Sequence, residues 1–286
     1  MTKLHSLGLL SALGLAARSM ATFAIVNLPS RFEQGFSLEE RVYGPRPWDT
    51  LDVYTPTGPG PWDVVVFFHG GRWSYGRKDN YRFVGSALSR AGYLTIIPNY
   101  RKYPQVRFPD FVGDGAKALA WVHDHASSMG GRPGRLHLAG HSSGAHIGAL
   151  LTADKTYLSS EGKSARDVIT SFAGLAGPYD FTPRASDLVD IFGPPEAFSQ
   201  MRVTTFIDGS EPPMLLLYGA ADETVAPFNH ERLANRIRMK GGKVEVVVYP
   251  DLGHIEIVGS LSWLIRSGSV LKDMARFFSS KGNRAR

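Results

Sequence analysis

Leu136-His137-Leu138-Ala139-Gly140-His141-Ser142-Ser143-Gly144-Ala145-His146 is the stretch whose reading decides the fold of this chain. A short apolar run ends at Gly140, and small residues at helical spacing follow Ser142. Between them lies G-x-S-x-G, a pattern with chemical meaning where a strand turns sharply into a helix. That turn strains the serine backbone and lifts its hydroxyl clear of the sheet edge. Gly140 and Gly144 fit because a Cβ at either place would meet the neighbouring strand or helix. The N–H groups from Ser143 onward point out of the helix N-terminus and can hold developing negative charge. The same letters also describe an inert Gly/Ser turn, but here the strand–turn–helix context is present, and Ser142 is read as a nucleophile.

Outward from this elbow, strands and helices alternate. Residues 64–68 (Val-Val-Val-Phe-Phe) form a β-branched and aromatic run, as expected of a strand buried on both faces. Residues 94–98, 136–139, 168–175, 214–218 and 244–249 read as further strands. Residues 36–43 and 51–54 are two earlier ones, separated by Gly44-Pro45-Arg46-Pro47. Helical spacing covers 81–91, 111–126, 143–152, 228–240 and 263–278. Residues 179–213 are rich in turn formers and read as a small insertion after the sixth strand. The pattern predicts an α/β protein with a doubly wound, mostly parallel sheet and two antiparallel strands at one edge. Residues 1–36 are an N-terminal segment and 37–286 a single α/β domain.

Composition bounds the function. At 286 residues, 43% hydrophobic and 20% charged, the chain has the make-up of an ordinary globular protein. The net charge of +6 comes from scattered basic residues. The basic tail at 281–286 reads as a solvated end, so no nucleic-acid partner is expected. The absence of cysteine excludes disulfides, thiolate catalysis and cysteine–zinc sites. No run reaches the ~18–20 apolar residues of a membrane span. At the N-terminus, Lys3, the apolar residues 7–17 and Ser19-Met20-Ala21 resemble a signal peptide, which would mean export. The alternative is an amphipathic helix continuing through Phe23, Ile25 and Leu28, capping the core or the site mouth in a cytoplasmic protein. Both stay open, as does the oligomeric state.

A serine hydroxyl needs a base, and the base an orienting acid. His254, in Tyr249-Pro250-Asp251-Leu252-Gly253-His254, follows the last strand. Asp222, in Tyr218-Gly219-Ala220-Ala221-Asp222, follows the strand before it. The chain order Ser142, Asp222, His254 is that of one fold's serine hydrolases. Asp222 as a turn cap and His254 as a surface residue are the structural alternatives. Asp180 is the rival acid, but a single helix–strand unit between Asp222 and His254 sets their loops side by side. His69-Gly70-Gly71-Arg72 follows residues 64–68 and suits an oxyanion hole, with the N–H groups of Gly71 and Arg72 joining that of Ser143. His69 then shapes the loop. His123, His125, His137, His141 and His146 lack metal-ligand spacing and are read as structural, so no metal site is expected.

With these residues in place, the chain resembles the α/β-hydrolase superfamily from about residue 38 to 278. His69-Gly70-Gly71-Arg72-Trp73 and Gly140-His141-Ser142-Ser143-Gly144-Ala145-His146 resemble the carboxylesterase and arylformamidase branch, marked by H-G-G-x-W and G-x-S-A-G-A-H. Ser143 replaces the usual alanine, and Arg72 the glycine of lipase-like relatives with H-G-G-G. The resemblance implies a serine hydrolase without metal or cofactor, acting on small esters through an acyl-enzyme. The expected substrate is a short-chain acyl ester, with Phe181, Phe192, Phe198 and Phe206 as candidate aromatic surface for the acyl arm. The alternatives are an amidase of the arylformamidase type, hydrolysing N-formylkynurenine, and a catalytically silent binding module.

Overall fold

The computed structural model describes residues 22–265 and 269–281. Its eight strands are β1 (Phe36–Val42), β2 (Thr50–Pro56), β3 (Trp62–Phe68), β4 (Tyr93–Pro98), β5 (Gly131–His141), β6 (Ser171–Leu175), β7 (Met214–Gly219) and β8 (Val244–Tyr249). They form one sheet in the order β1-β2-β4-β3-β5-β6-β7-β8. β2 is antiparallel to both β1 and β4, and every later pairing is parallel. β5 is central, with Phe68 of β3 level with Gly140, and Gly140 level with Gly174 of β6. The strand order reverses beside β3, so the carboxyl ends of β3 and β5 open onto the crevice where doubly wound sheets bind ligands.

Burial follows from position in the sheet. Every residue of β4, β6 and β7 is buried, as strands covered by helices on both faces require, whereas edge strand β1 is mostly exposed. One apolar layer packs Phe68, Leu138 and Leu216 against the Asp110–His125 and Ser143–Ala153 helices. The other packs Val65, Phe67 and Leu217 against the Arg82–Arg90 and Val270–Lys281 helices. The helix after the elbow, Ser143–Ala153, is buried along its whole length, consistent with its lack of a polar face.

Three sequence-based expectations are corrected, the first being that β5 begins at Gly131 and not at residue 136. The strand expected from residue 168 begins at Ser171, because Ala165–Val168 is a helical turn. Ala165, Val168 and Ile169 are buried at one-turn spacing, which a strand pattern cannot distinguish locally. The helix expected from residue 263 begins at Val270. The Asp273 N–H bonds the Ser269 carbonyl at 2.6 Å, so the helix starts from Ser269, a favoured N-cap type, and Trp263, Leu264 and Ile265 lie exposed outside it.

Residues 179–213 run between β6 and β7 as short helices, Ser186–Phe192, Phe198–Met201 and Val203–Phe206, with a 3₁₀ turn at Pro195–Ala197. Ile191, Phe192, Phe198, Met201 and Val203 are buried in the main core, so the segment is built into one face of the domain. At the other end of the chain residues 22–27 are helical. Phe23 and Val26 are buried, and Ile25 and Leu28 face outward. Asn27 ties this segment down by donating to the Asp79 carbonyl and accepting from the Phe83 N–H. The signal-peptide reading concerns residues 1–21, which lie outside the described residues. Among the described residues no helix is long and apolar enough to cross a membrane.

Candidate active site

Four non-glycine residues among those described have positive φ: Arg72 (52°), Trp73 (57°), Ser142 (54°) and Ala176 (49°). All four lie just past the carboxyl ends of β3, β5 and β6. Left-handed backbone is costly for residues with a Cβ and persists only where the surroundings over-determine it. At Ser142 the constraint is visible. Its N–H bonds the Leu175 carbonyl at 2.9 Å, and its carbonyl accepts the His146 N–H at 3.1 Å. A Cβ on Gly140 would lie 2.5 Å from the Gly144 carbonyl oxygen, so only glycine lets the helix start this close to the strand.

The strained turn aims the Ser142 hydroxyl at His254, whose Nε2 is 2.9 Å from Oγ. On the other side of the ring, Nδ1 lies 2.8 Å from Asp222 Oδ2. The second carboxylate oxygen, Oδ1, accepts the N–H groups of Thr224 and Val225, both at 2.8 Å. Burial alone would raise the Asp222 carboxyl above its ordinary range. The bond to His254 and the two N–H donors outweigh burial and hold it below. The Asp222 side chain is fully shielded, and His254 only 10% exposed. A carboxylate fixed in this way selects the tautomer in which Nδ1 carries the proton and Nε2 faces the hydroxyl as a base.

Asp180 is placed elsewhere. Its carboxylate lies 3.6 Å from both Arg202 and Arg232, and its N–H bonds Asn229 Oδ1 at 3.0 Å. It anchors the start of the 179–213 segment.

On the facing side, the loop after β3 brings Gly71 and Arg72 to the Ser142 cavity. Gly71, at φ 135°, passes so close to the Tyr75 carbonyl that no Cβ fits. Among the described residues the N–H groups of Gly71, Arg72 and Ser143 have no backbone or side-chain acceptor, which leaves them free for a substrate oxygen. His69 stacks on Tyr100 with 4.4 Å between ring centroids, and its carbonyl accepts the Tyr100 hydroxyl at 2.7 Å. Burial pushes the His69 imidazole down to about 3, so it is a neutral strut of the loop.

The cavity over Ser142 has a volume of about 270 Å³. Trp73, Phe181 and Leu188 form one wall, with the Trp73 and Phe181 rings stacked 5.5 Å apart. Val225, Phe228 and Ile255 also line it, and Phe23 of the N-terminal segment reaches it beside Tyr81. Of the four phenylalanines considered for an acyl arm, only Phe181 lines the cavity. Phe192 and Phe198 are buried in the core and Phe206 packs against it.

The remaining histidines are held one by one. His125 stacks on Trp121 and His137 on Phe278. His146 Nε2 donates to the Met201 carbonyl at 2.7 Å, pinning the 179–213 segment to the helix after the elbow. His141 borders the cavity beside Ser142, its Nδ1 2.8 Å from the Tyr81 hydroxyl and its Nε2 2.8 Å from the His254 carbonyl oxygen. Sequence reasoning missed Tyr81, Leu188 and the 224–229 wall. It also missed Asp187, whose carboxylate grips Arg72. None carries a local signal, since each reaches the site by tertiary approach.

Strand order, elbow and crevice together define an α/β-hydrolase fold, and solved structures agree. A carbohydrate esterase from gut microbiota superposes with a TM-score of 0.76 over 88% of this chain and 99% of that one, at 20% identity. Thermogutta terrifontis esterase 2 superposes with a TM-score of 0.73 over 89% and 98%, at 22% identity. Within this fold the chain belongs to the BD-FAE family, whose model matches residues 51–237. It is 29% identical over 293 residues to a probable isoprenylcysteine α-carbonyl methylesterase, ICMEL1, of Arabidopsis thaliana, covering 88% of this chain. It is 28% identical over 236 residues to the esterase LipC of Mycobacterium tuberculosis, covering 74% of this chain. The aligned regions span 60% and 58% of those two proteins.

Proposed function

We propose that this chain is a serine carboxylic ester hydrolase acting on small, short-chain acyl esters. The observation that carries the reading is the hydrogen-bonded series Asp222–His254–Ser142, at 2.8 and 2.9 Å, opening into an apolar cavity. Ser142 Oγ attacks the ester carbonyl carbon while His254 Nε2 takes its proton. Negative charge collects on the carbonyl oxygen, where the N–H groups of Ser143, Gly71 and Arg72 receive it, each worth on the order of 3 kcal/mol of transition-state stabilisation. The imidazolium, steadied by Asp222, returns the proton to the departing alkoxide and leaves an acyl-Ser142. Water, deprotonated by the same His254, then attacks the acyl carbon, and the serine leaves with the proton back on Oγ.

Esterase names among the relatives support the reaction class. The name of the Arabidopsis relative favours a second reading, in which a methyl ester of a larger apolar acid is the substrate. Phe228, at the cavity wall and 36% exposed, would extend the apolar surface outward for it. The deciding measurement is kcat/KM for p-nitrophenyl esters from two to sixteen acyl carbons, alongside a prenylated cysteine methyl ester and N-formylkynurenine. A maximum near butyrate is expected, since each methylene that fits adds about 0.8 kcal/mol of burial and any beyond the wall adds nothing. A maximum at twelve carbons or more sinks the short-chain reading. Turnover of the methyl ester alone installs the second reading, and turnover of N-formylkynurenine without any ester installs an amidase.

A further inference from the structure

Behind the Ser142–His254 pair is a polar arrangement that the mechanism above does not use. His141, the first variable residue of G-x-S-x-G, borders the cavity beside Ser142 and is otherwise fully packed, at 1% exposure. Its Nε2 is 2.8 Å from the backbone carbonyl of His254, and a carbonyl can only accept, so Nε2 carries the proton. Its Nδ1 is 2.8 Å from the Tyr81 hydroxyl, which must then donate. Burial pushes the His141 ring down to about 3 and the Tyr81 phenol well above its ordinary value, so both keep these roles near neutral pH. Tyr81 in turn sits against the loop after β3. A Cβ on Gly70 would lie 2.7 Å from its hydroxyl oxygen. Phe23, its ring centroid 4.9 Å from that of Tyr81 and edge-on to His141 at 6.4 Å, covers the pair.

We infer that Tyr81 and His141 are positioning residues that fix the general base, tying the His254 loop to the elbow through one directed hydrogen-bond series whose far end, Tyr81, packs against the oxyanion loop. The inference rests on the serine-hydrolase reading above. His254 lies on the loop between β8 and the short Glu256–Gly259 helix, and its side chain must meet Ser142 and Asp222 together. Holding its main-chain oxygen from behind removes the tilt that would open the 2.9 Å contact to Oγ. The direction of donation matters. The other His141 tautomer would set a lone pair against the carbonyl and push the loop away.

The test compares His141→Phe, His141→Gln, Tyr81→Phe and the double variant Tyr81→Phe/His141→Phe, in which no polar atom of the pair is left unmatched. Turnover of p-nitrophenyl butyrate is normalised to Ser142 titrated with a fluorophosphonate, so misfolded protein does not count. His141→Phe and the double variant are expected to lose roughly 30- to 100-fold in kcat with KM within about threefold, the scale of a base displaced by an ångström. His141→Gln, whose amide N–H reaches the same carbonyl, should recover most of that loss, and Tyr81→Phe should lose about tenfold. Nitrogen-15 spectra of His141 should show a neutral ring protonated at Nε2. Normal turnover per titrated site in His141→Phe, failure of glutamine to rescue, or a proton on Nδ1 overturns the inference. Wild-type protein that neither labels at Ser142 nor cleaves any ester overturns the functional reading and this inference with it.

Discussion

The Arg72 guanidinium clasps the Asp187 carboxylate through two parallel hydrogen bonds, Nε to Oδ2 at 2.9 Å and Nη2 to Oδ1 at 3.0 Å, across 115 residues of chain. Arg72 supplies one of the proposed oxyanion donors through its backbone, while its side chain is fastened to the segment that carries Phe181 and Leu188. A two-point fork fixes orientation as well as distance. The pair is about 30% exposed on each side, 29% and 32%, so its worth in stability is small, about 1 kcal/mol or less.

The effect on catalysis should be larger than that on stability. Arg72→Leu and Asp187→Ala are each expected to lower kcat/KM about tenfold and Tm by no more than a few degrees. The double variant should be hardly worse than either single one, because both remove the same restraint. Strictly additive losses in the double-mutant cycle would show that the two residues act separately.

Ser142→Ala should leave less than about 1% of wild-type kcat, with Tm within a few degrees. Ser142→Gly should be equally inactive yet melt at or above the wild-type temperature, because glycine takes up φ 54° without the cost a Cβ imposes there. Ester turnover by either variant above that level would place the nucleophile elsewhere.

Asp222→Asn is expected to lower kcat by on the order of 10⁴, since an amide favours the wrong imidazole tautomer. Asp180→Asn should lower kcat less than tenfold and show mainly in Tm, through its partners Arg202 and Arg232. The reverse ranking in steady-state assays would move the acid to Asp180.

Acid should unfold the protein from a mildly low pH. His69, His141 and His146 are buried, and burial depresses them from 6.5 to about 3, 3 and 4. In the unfolded chain they titrate at the ordinary value, so below it the unfolded state binds protons that the folded state refuses. Stability is therefore complete above about pH 6.5 and falls as pH drops, by about 1.4 kcal/mol per pH unit per histidine. Tm followed from pH 8 to 4.5 should be flat at first and then drop steeply. A Tm that stays level down to pH 4.5 would contradict the neutral, buried state of these rings.

How much was legible in the sequence follows from which interactions are local. The elbow could be read because its requirements, two glycines around Ser142 and a helix at once, fall within five residues. The loops of Asp222 and His254 could be read from their places after β7 and β8. Asp187 could not, because its role exists only when a segment 115 residues from Arg72 folds back over the cavity. Phe192 and Phe198 could not be separated from Phe181, since all three are apolar residues in a turn-rich stretch and only packing decides which faces the cavity. The start of the last helix is not legible because Trp263, Leu264 and Ile265 extend the apolar pattern back beyond Val270, where the helix begins.

The origin of each part of the site has a practical consequence. The proposed nucleophile, base, acid and backbone donors all come from turns attached to strands β3, β5, β7 and β8, whereas Phe181 and Leu188 come from the 179–213 segment. The 179–213 segment thus adds one part of the cavity lining without supplying a reacting group, while Trp73, Val225, Phe228 and Ile255 line the cavity from outside it. Transplanting another segment between β6 and β7 would reshape that part of the cavity, and so the compounds that fit it, without touching the proposed reacting groups, provided the graft keeps a carboxylate for Arg72 and a carbonyl for His146.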